Sequence, residues 1–156
     1  MEIVSRSATE TQKIAALLAR EVAALKGRHA VVVALSGNLG AGKTTFVQGF
    51  AASLGVKEKL ASPTFVIMKA YALRHATRDK RHARTLVHID AYRLKSGKDL
   101  VSLGIRSILR DPHAIVVIEW AERITHSLPR DAVWLHFTHG RKSNERRIKF
   151  QATSAK

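Results

Sequence analysis

Ala30-Val31-Val32-Val33-Ala34-Leu35-Ser36-Gly37-Asn38-Leu39-Gly40-Ala41-Gly42-Lys43-Thr44-Thr45-Phe46 is the stretch on which the reading of the fold turns. It opens with a β-branched run that has no polar alternation, the pattern of a strand covered on both faces by helices. A glycine-rich turn follows from Gly37 to Gly42. Lys43 to Leu54 then reads as a helix ending near Gly55, with Phe46, Val47, Phe50, Ala51 and Leu54 on one side. Strand, glycine loop and helix together open a βαβ unit. Within this stretch Gly37-Asn38-Leu39-Gly40-Ala41-Gly42-Lys43-Thr44 satisfies G-x-x-x-x-G-K-[ST], the P-loop pattern. The chemistry needs these residue types. Glycines let the backbone curl until successive N–H groups point inward at phosphate oxygens, and the helix adds its positive end at the same place. The pattern predicts that residues 37–45 bind a nucleotide. Lys43 is expected to reach the β- and γ-phosphates, Thr44 to ligate Mg²⁺ and Thr45 to meet the α-phosphate.

Outward from this unit, Leu86-Val87-His88-Ile89 and Ala114-Ile115-Val116-Val117-Ile118 read as two more buried strands. A helix is predicted between them over Lys98 to Leu109. Phe65 to Tyr71 fits a further strand, and Val133 to Phe137 with Arg147 to Gln151 fit a late strand pair about Gly140. Upstream, residues 7–26 read as an amphipathic helix with Ser7 and Glu10 as a capping box and Ile14, Leu17, Leu18, Val22 and Leu25 as its apolar face. No repeat or linker divides the chain, so residues 1–156 are expected to form one domain. The fold class is α/β and P-loop NTPase-like: a mostly parallel central sheet flanked by helices, with antiparallel additions.

Hydrolysis at a P-loop requires a carboxylate near the metal and a group that places water. Glu119 closes one predicted strand and Asp90 another. Carboxyl ends of parallel strands face the ligand crevice, so both are candidate catalytic acids, with Thr44 and Glu119 as the metal-binding pair. The other reading is that each acid caps a strand–loop junction. Ser62-Pro63-Thr64-Phe65 offers a defined turn that presents the Thr64 hydroxyl. It is either a plain turn or a segment that senses the γ-phosphate. His88 fits either a site wall or an ordinary strand position, and Tyr92 and Arg93 fit either the site or a partner. His136 and His139 fall on opposite strand faces, and the chain has no Cys, so zinc is not expected.

A chain of 156 residues with a 46% hydrophobic fraction can bury a core without disulfides. No apolar run nears the roughly 18–20 residues of a membrane span. The N-terminus lacks a signal-peptide core, and a cytoplasmic protein is expected. The net charge of +15 is unevenly spread: residues 74–84 carry +4 and residues 141–156 carry +5. These two segments are either solvated loops or contacts to RNA or another acidic partner.

The motifs taken in order resemble one family. Ser36 to Phe46, Ser62-Pro63-Thr64-Phe65, His88-Ile89-Asp90-Ala91-Tyr92-Arg93-Leu94, Leu103-Gly104-Ile105, Val117-Ile118-Glu119-Trp120-Ala121-Glu122-Arg123 and Leu128-Pro129 look like the TsaE (YjeE) family, across roughly residues 9–130. The resemblance implies a small ATPase needed for threonylcarbamoyladenosine modification of tRNA. Its partners would be TsaD- and TsaB-type proteins, with ATP and Mg²⁺ as cofactors and slow hydrolysis when alone. It also implies that Asp90 and Glu119 serve the ATPase site, that Trp120 belongs to the functional motif and that Thr64 is switch-like. Thr9-Glu10-Thr11 resembles the family's N-terminal signature. Two departures stand out, Asn38 where Asp is usual and Lys69 where an acid or amide is common. The free protein is expected to be a monomer. A small-metabolite kinase is the alternative function, since the Arg-rich 74–84 segment could serve as a lid. No Asn-Lys-x-Asp sequence supports guanine, which leaves ATP as the expected nucleotide.

Overall fold

A computed structural model describes residues 1–60, 67–73 and 85–151. Ser62-Pro63-Thr64-Phe65, the basic segment 74–84 and the tail 152–156 lie outside these residues. In chain order the elements are strand β1 (Glu2–Ser5), helix α1 (Ala8–Ala24), β2 (Val31–Gly37), α2 (Lys43–Ser53), β3 (Met68–Ala72), β4 (Thr85–Asp90), α3 (Lys98–Val101), α4 (Ile105–Arg110), β5 (Ala114–Glu119), a 3₁₀ helix (Ala121–Ser127), β6 (Val133–His139) and β7 (Arg146–Gln151). The strands form one mixed sheet in the order β1-β7-β6-β2-β5-β4-β3. Its middle is parallel, with β2 paired to β5 and β6, and β4 paired to β5. The edges are antiparallel, through β3 on one side and β7 and β1 on the other. A parallel middle with antiparallel additions is the arrangement the sequence predicts.

Two helical layers cover the sheet. On one face α1 and α2 bury Phe46, Phe50, Phe137, Leu35 and Ile148; on the other, α3, α4 and the 3₁₀ helix bury Val32, Ala34, Ile89, Ile118 and Leu100. Both faces of β2 and β5 are thus dry, which is why these strands read as unbroken apolar runs.

Helix α1 starts where its cap predicts. The Ser7 hydroxyl accepts the Glu10 N–H at 3.0 Å, and the Glu10 carboxylate accepts the Arg6 N–H at 2.7 Å. Its buried stripe is the expected one in part: Val22 is buried and Ile14 and Leu18 pack against the core, but Leu17 and Leu25 are 63% and 56% exposed, and Thr11, Ala15 and Ala19 are buried in addition. The cause is close packing on α2: a Cβ at Gly49 would overlap the Gln12 backbone, and small residues fit such an approach. The helix predicted over 98–109 is broken into α3 and α4. Gly104 stands between them in the left-handed region at φ 82°, a conformation that ends a right-handed helix. β1 and the 3₁₀ helix give too short a pattern to be read from the sequence. No helix among the described residues is long and apolar enough to cross a membrane.

Candidate functional site

The glycine loop joins β2 to α2 at the carboxyl end of the parallel strands. Gly37 takes φ 130°, and a Cβ there would collide with the backbone carbonyl of Phe137 on the neighbouring strand. Gly40 and Gly42 also have positive φ, at 74° and 101°, which L side chains rarely adopt. Ala41 packs inward, and Asn38 and Leu39 form the exposed tip. The Asn38 carbonyl accepts the Ala41 N–H at 3.2 Å and closes the turn.

Register brings the acids to this loop. Leu35 pairs with Glu119 across β2 and β5, and Glu119 pairs with Asp90 across β5 and β4. Glu119 is buried. One of its oxygens accepts the Thr44 hydroxyl at 2.7 Å, and the other lies 2.7 Å from Nε2 of His88. Asp90 is also buried, and its Oδ1 accepts the Tyr92 N–H at 2.9 Å. Asp90 therefore closes the turn after β4 as well as standing beside Glu119. Lys43, 5% exposed, donates to the carbonyls of Gly37 at 2.5 Å and Asn38 at 2.9 Å. Burial holds its ammonium below the usual lysine range, against the carboxylates of Glu122, Glu119 and Asp90, which pull the other way. Trp120 follows Glu119 in the left-handed region, at φ 58°. That reversal folds its ring back over Lys43.

A cleft of about 410 Å³ opens at the loop, and Asp90 and His88 are not among the residues that line it. Leu39, Gly40, Gly42, Lys43, Thr44, Thr45, Glu119 and Trp120 form one side. The start of α1, through Ser7, Ala8 and Thr11, and the β6–β7 turn, through Asn144 and Arg146, form the other. Asn144 donates to the Arg6 carbonyl at 2.9 Å and ties the turn to the entry of α1. Arg146 is fixed by the carbonyls of Ser143 and Glu145, with its stem against Gly42.

Most sequence candidates thus converge, with Lys43, Thr44, Glu119 and Trp120 lining the cleft and Asp90 beside Glu119 in register. Thr64 lies outside the described residues. Sequence reasoning missed Glu122, which accepts the Gly37 N–H at 3.2 Å, and the far wall of the cleft. Glu122 carried a signal, its place in the motif after Trp120. Asn144 and Arg146 carried none beyond charge. Lys69 sits on exposed β3, paired with Glu58 at 3.5 Å, and is not among the residues that line the cleft.

Chemically, the loop and the N-terminus of α2 offer inward N–H groups and a buried ammonium to an anion with several oxygens. Thr44 and Glu119 offer two adjacent oxygens to a hard cation. No cluster of three or more His, Asp or Glu among the described residues forms a metal site of its own. A cation here would depend on ligand and water oxygens.

Fold and site define a mixed α/β protein built around a glycine-rich loop, with a buried lysine, threonine and glutamate at the sheet's carboxyl edge. Residues 5–148 match the sequence model of the family described as Threonylcarbamoyl adenosine biosynthesis protein TsaE. The chain is similar to the tRNA threonylcarbamoyladenosine biosynthesis protein TsaE of Treponema pallidum (strain Nichols), 37% identical over 134 residues, covering 85% of this chain and 87% of that protein. It is also similar to the protein of the same name from Bacillus subtilis (strain 168), 34% identical over 121 residues, covering 78% and 69%. The crystal structure of YdiB from Bacillus subtilis superposes with a TM-score of 0.73 at 29% identity, covering 99% of this chain and 86% of that one. The chain belongs to the TsaE family.

Proposed function

We propose that the protein is a P-loop, Mg²⁺-dependent ATPase that acts as a switch on a TsaD/TsaB-type complex during threonylcarbamoyladenosine modification of tRNA. The observation that carries this reading is the convergence of Lys43, Thr44 and Glu119 on a loop whose glycine backbone only glycine accommodates. That cradle and donor set fit a nucleoside triphosphate with one hard cation. Residues 37–45 would hold the phosphates, and Thr44 and Glu119 the metal. When bound, the metal supplies charge neutralisation of the phosphoryl oxygens.

The chain's own residues do the rest. Lys43 leaves its loop carbonyls to neutralise charge on the transferred phosphoryl group. Loop N–H groups and the start of α2 orient the phosphates. In this reading the Glu119 and Asp90 carboxylates place the attacking water, and Trp120 covers the site from bulk water. Thr64 acts as the phosphate-sensing residue. A cytoplasmic location and a monomeric free protein belong to the same reading.

A phosphate-release assay tests the reading. Slow hydrolysis by the chain alone, accelerated by TsaD- and TsaB-type proteins and tRNA, is the expected result. Rapid phosphoryl transfer to a small acceptor would instead identify a kinase.

A further inference from the structure

We propose that His88 is a positioning residue: its Nε2–H fixes the Glu119 carboxylate so that the opposite oxygen meets Thr44, and hydrolysis depends on this contact while nucleotide binding does not. The inference rests on the ATPase reading above.

His88 is fully buried on β4, on the same sheet face as Asp90 two residues on. Across the sheet its register partner is Val117, so the ring reaches diagonally to Glu119. The two side chains are 0% and 3% exposed, and the contact is 2.7 Å. The preceding residue on that face, Leu86, is apolar and fully buried. A side chain kept there for packing alone would be apolar too, because a buried polar ring is unfavourable unless it is hydrogen-bonded.

The ring makes one such bond. Its Nδ1 is buried without a hydrogen-bond partner among the described residues. A proton on Nε2 fits this arrangement, since Nε2 could not otherwise donate to the carboxylate. Glu119 is thereby held from both ends, with Thr44 Oγ1 on Oε1 and His88 Nε2 on Oε2, each at 2.7 Å. Two donors on different oxygens suppress rotation of the carboxylate plane. Removing the His88 end leaves that rotation to the Thr44 bond alone. Misplacement of a catalytic group by about 1 Å can lower a rate about 100-fold.

The test has a spectroscopic and a kinetic arm. Long-range ¹H–¹⁵N NMR on the nucleotide-free wild-type protein should show a proton on His88 Nε2. Its ring resonances should move in Glu119→Gln. An Nδ1–H tautomer, or resonances blind to Glu119, would overturn the proposal.

In the kinetic arm, His88→Gln places an amide nitrogen near the Nε2 position, His88→Asn places one near Nδ1, and His88→Leu places none. The expected result is a kcat lowered about 10- to 100-fold in the Asn and Leu variants. ADP affinity and KM for ATP should stay within about twofold, and Gln should recover most of the rate. Equal losses in all three variants that track their melting temperatures, or a parallel loss of ADP affinity, would mark His88 as a packing residue. A wild-type protein that hydrolyses no ATP even with its partners would overturn the ATPase reading and the hydrolytic role of His88 together. The NMR arm would still decide whether His88 orients Glu119.

Discussion

Nζ of Lys43 lies 3.9 Å from the centre of the Trp120 ring. On the other ring contacts, Tyr92 packs against Trp120 at 4.9 Å between centroids, and the Arg123 guanidinium lies 5.0 Å from the Tyr92 ring. Two adjoining rings are therefore flanked by a cation on either side. A desolvated cation–π contact stabilises by about 2 kcal/mol. The left-handed backbone at Trp120 costs about 1–2 kcal/mol. The two are of similar size, so the strained turn can persist because the ring meets the buried ammonium.

Lys43 is the first point of test. Lys43→Met should greatly weaken ATP binding and hydrolysis and also destabilise the nucleotide-free protein. The change strands the Gly37 and Asn38 carbonyls, removes the cation over Trp120 and leaves Glu119 and Asp90 without this buried counter-charge. Because burial lowers the folded-state value below 10.5, the unfolded chain binds more protons between the two values. The wild-type protein therefore recovers stability as pH rises through that window. Melts of both proteins at neutral pH and near pH 10 should show the wild type gaining stability relative to the Met variant with alkalinity. Unchanged ATPase activity would sink the phosphate role of the loop.

The acids separate by a different comparison. Glu119→Gln should lower kcat by about 100-fold or more with a smaller effect on nucleotide affinity. Asp90→Asn keeps an oxygen to accept the Tyr92 N–H and removes only the charge. A similar drop in phosphate release is expected. Wild-type hydrolysis by Asp90→Asn would assign Asp90 to the turn alone.

Gly37→Ala tests the backbone. The new Cβ meets the Phe137 carbonyl, and the residue must hold φ 130°. Strained backbone of this kind costs about 1–3 kcal/mol before the clash is counted. Urea unfolding should show a lower midpoint with an unchanged slope, and an unshifted midpoint would contradict the strand spacing seen here.

Charge is tested apart from chemistry. Arg141 and Lys142 are exposed on the β6–β7 turn, and Arg78, Lys80, Arg81 and Arg84 belong to the basic 74–84 segment. Serine at these positions should leave intrinsic ATP hydrolysis near wild type. If the residues neutralise tRNA phosphates, each replacement should lower the salt slope of binding by about 1. Filter binding at several salt concentrations reads that slope. Loss of hydrolysis with RNA binding intact would make 74–84 a lid over the nucleotide.

By itself the sequence determined the parts governed by local periodicity. The loop from Gly37 to Thr44, the buried strands at β2, β4 and β5, the late pair β6 and β7, and the start of α1 at Ser7 all follow from neighbours in the chain. Even the strand-end positions of Asp90 and Glu119 were legible, because a parallel strand's carboxyl end has one outlook. What only the tertiary structure decided involves partners far apart in the chain. Which stripe of α1 is buried depends on how near α2 comes, and Gly49 against Gln12 sets that distance. Whether His88 is a packing residue or a hydrogen-bond donor depends on the diagonal reach from β4 to β5. Arg146 and Asn144 enter the cleft because β7 pairs with both β6 and β1, which carries their turn to the entry of α1. Periodicity tells each residue which side of its own element it occupies. Only sheet order and the spacing between layers tell it what stands opposite.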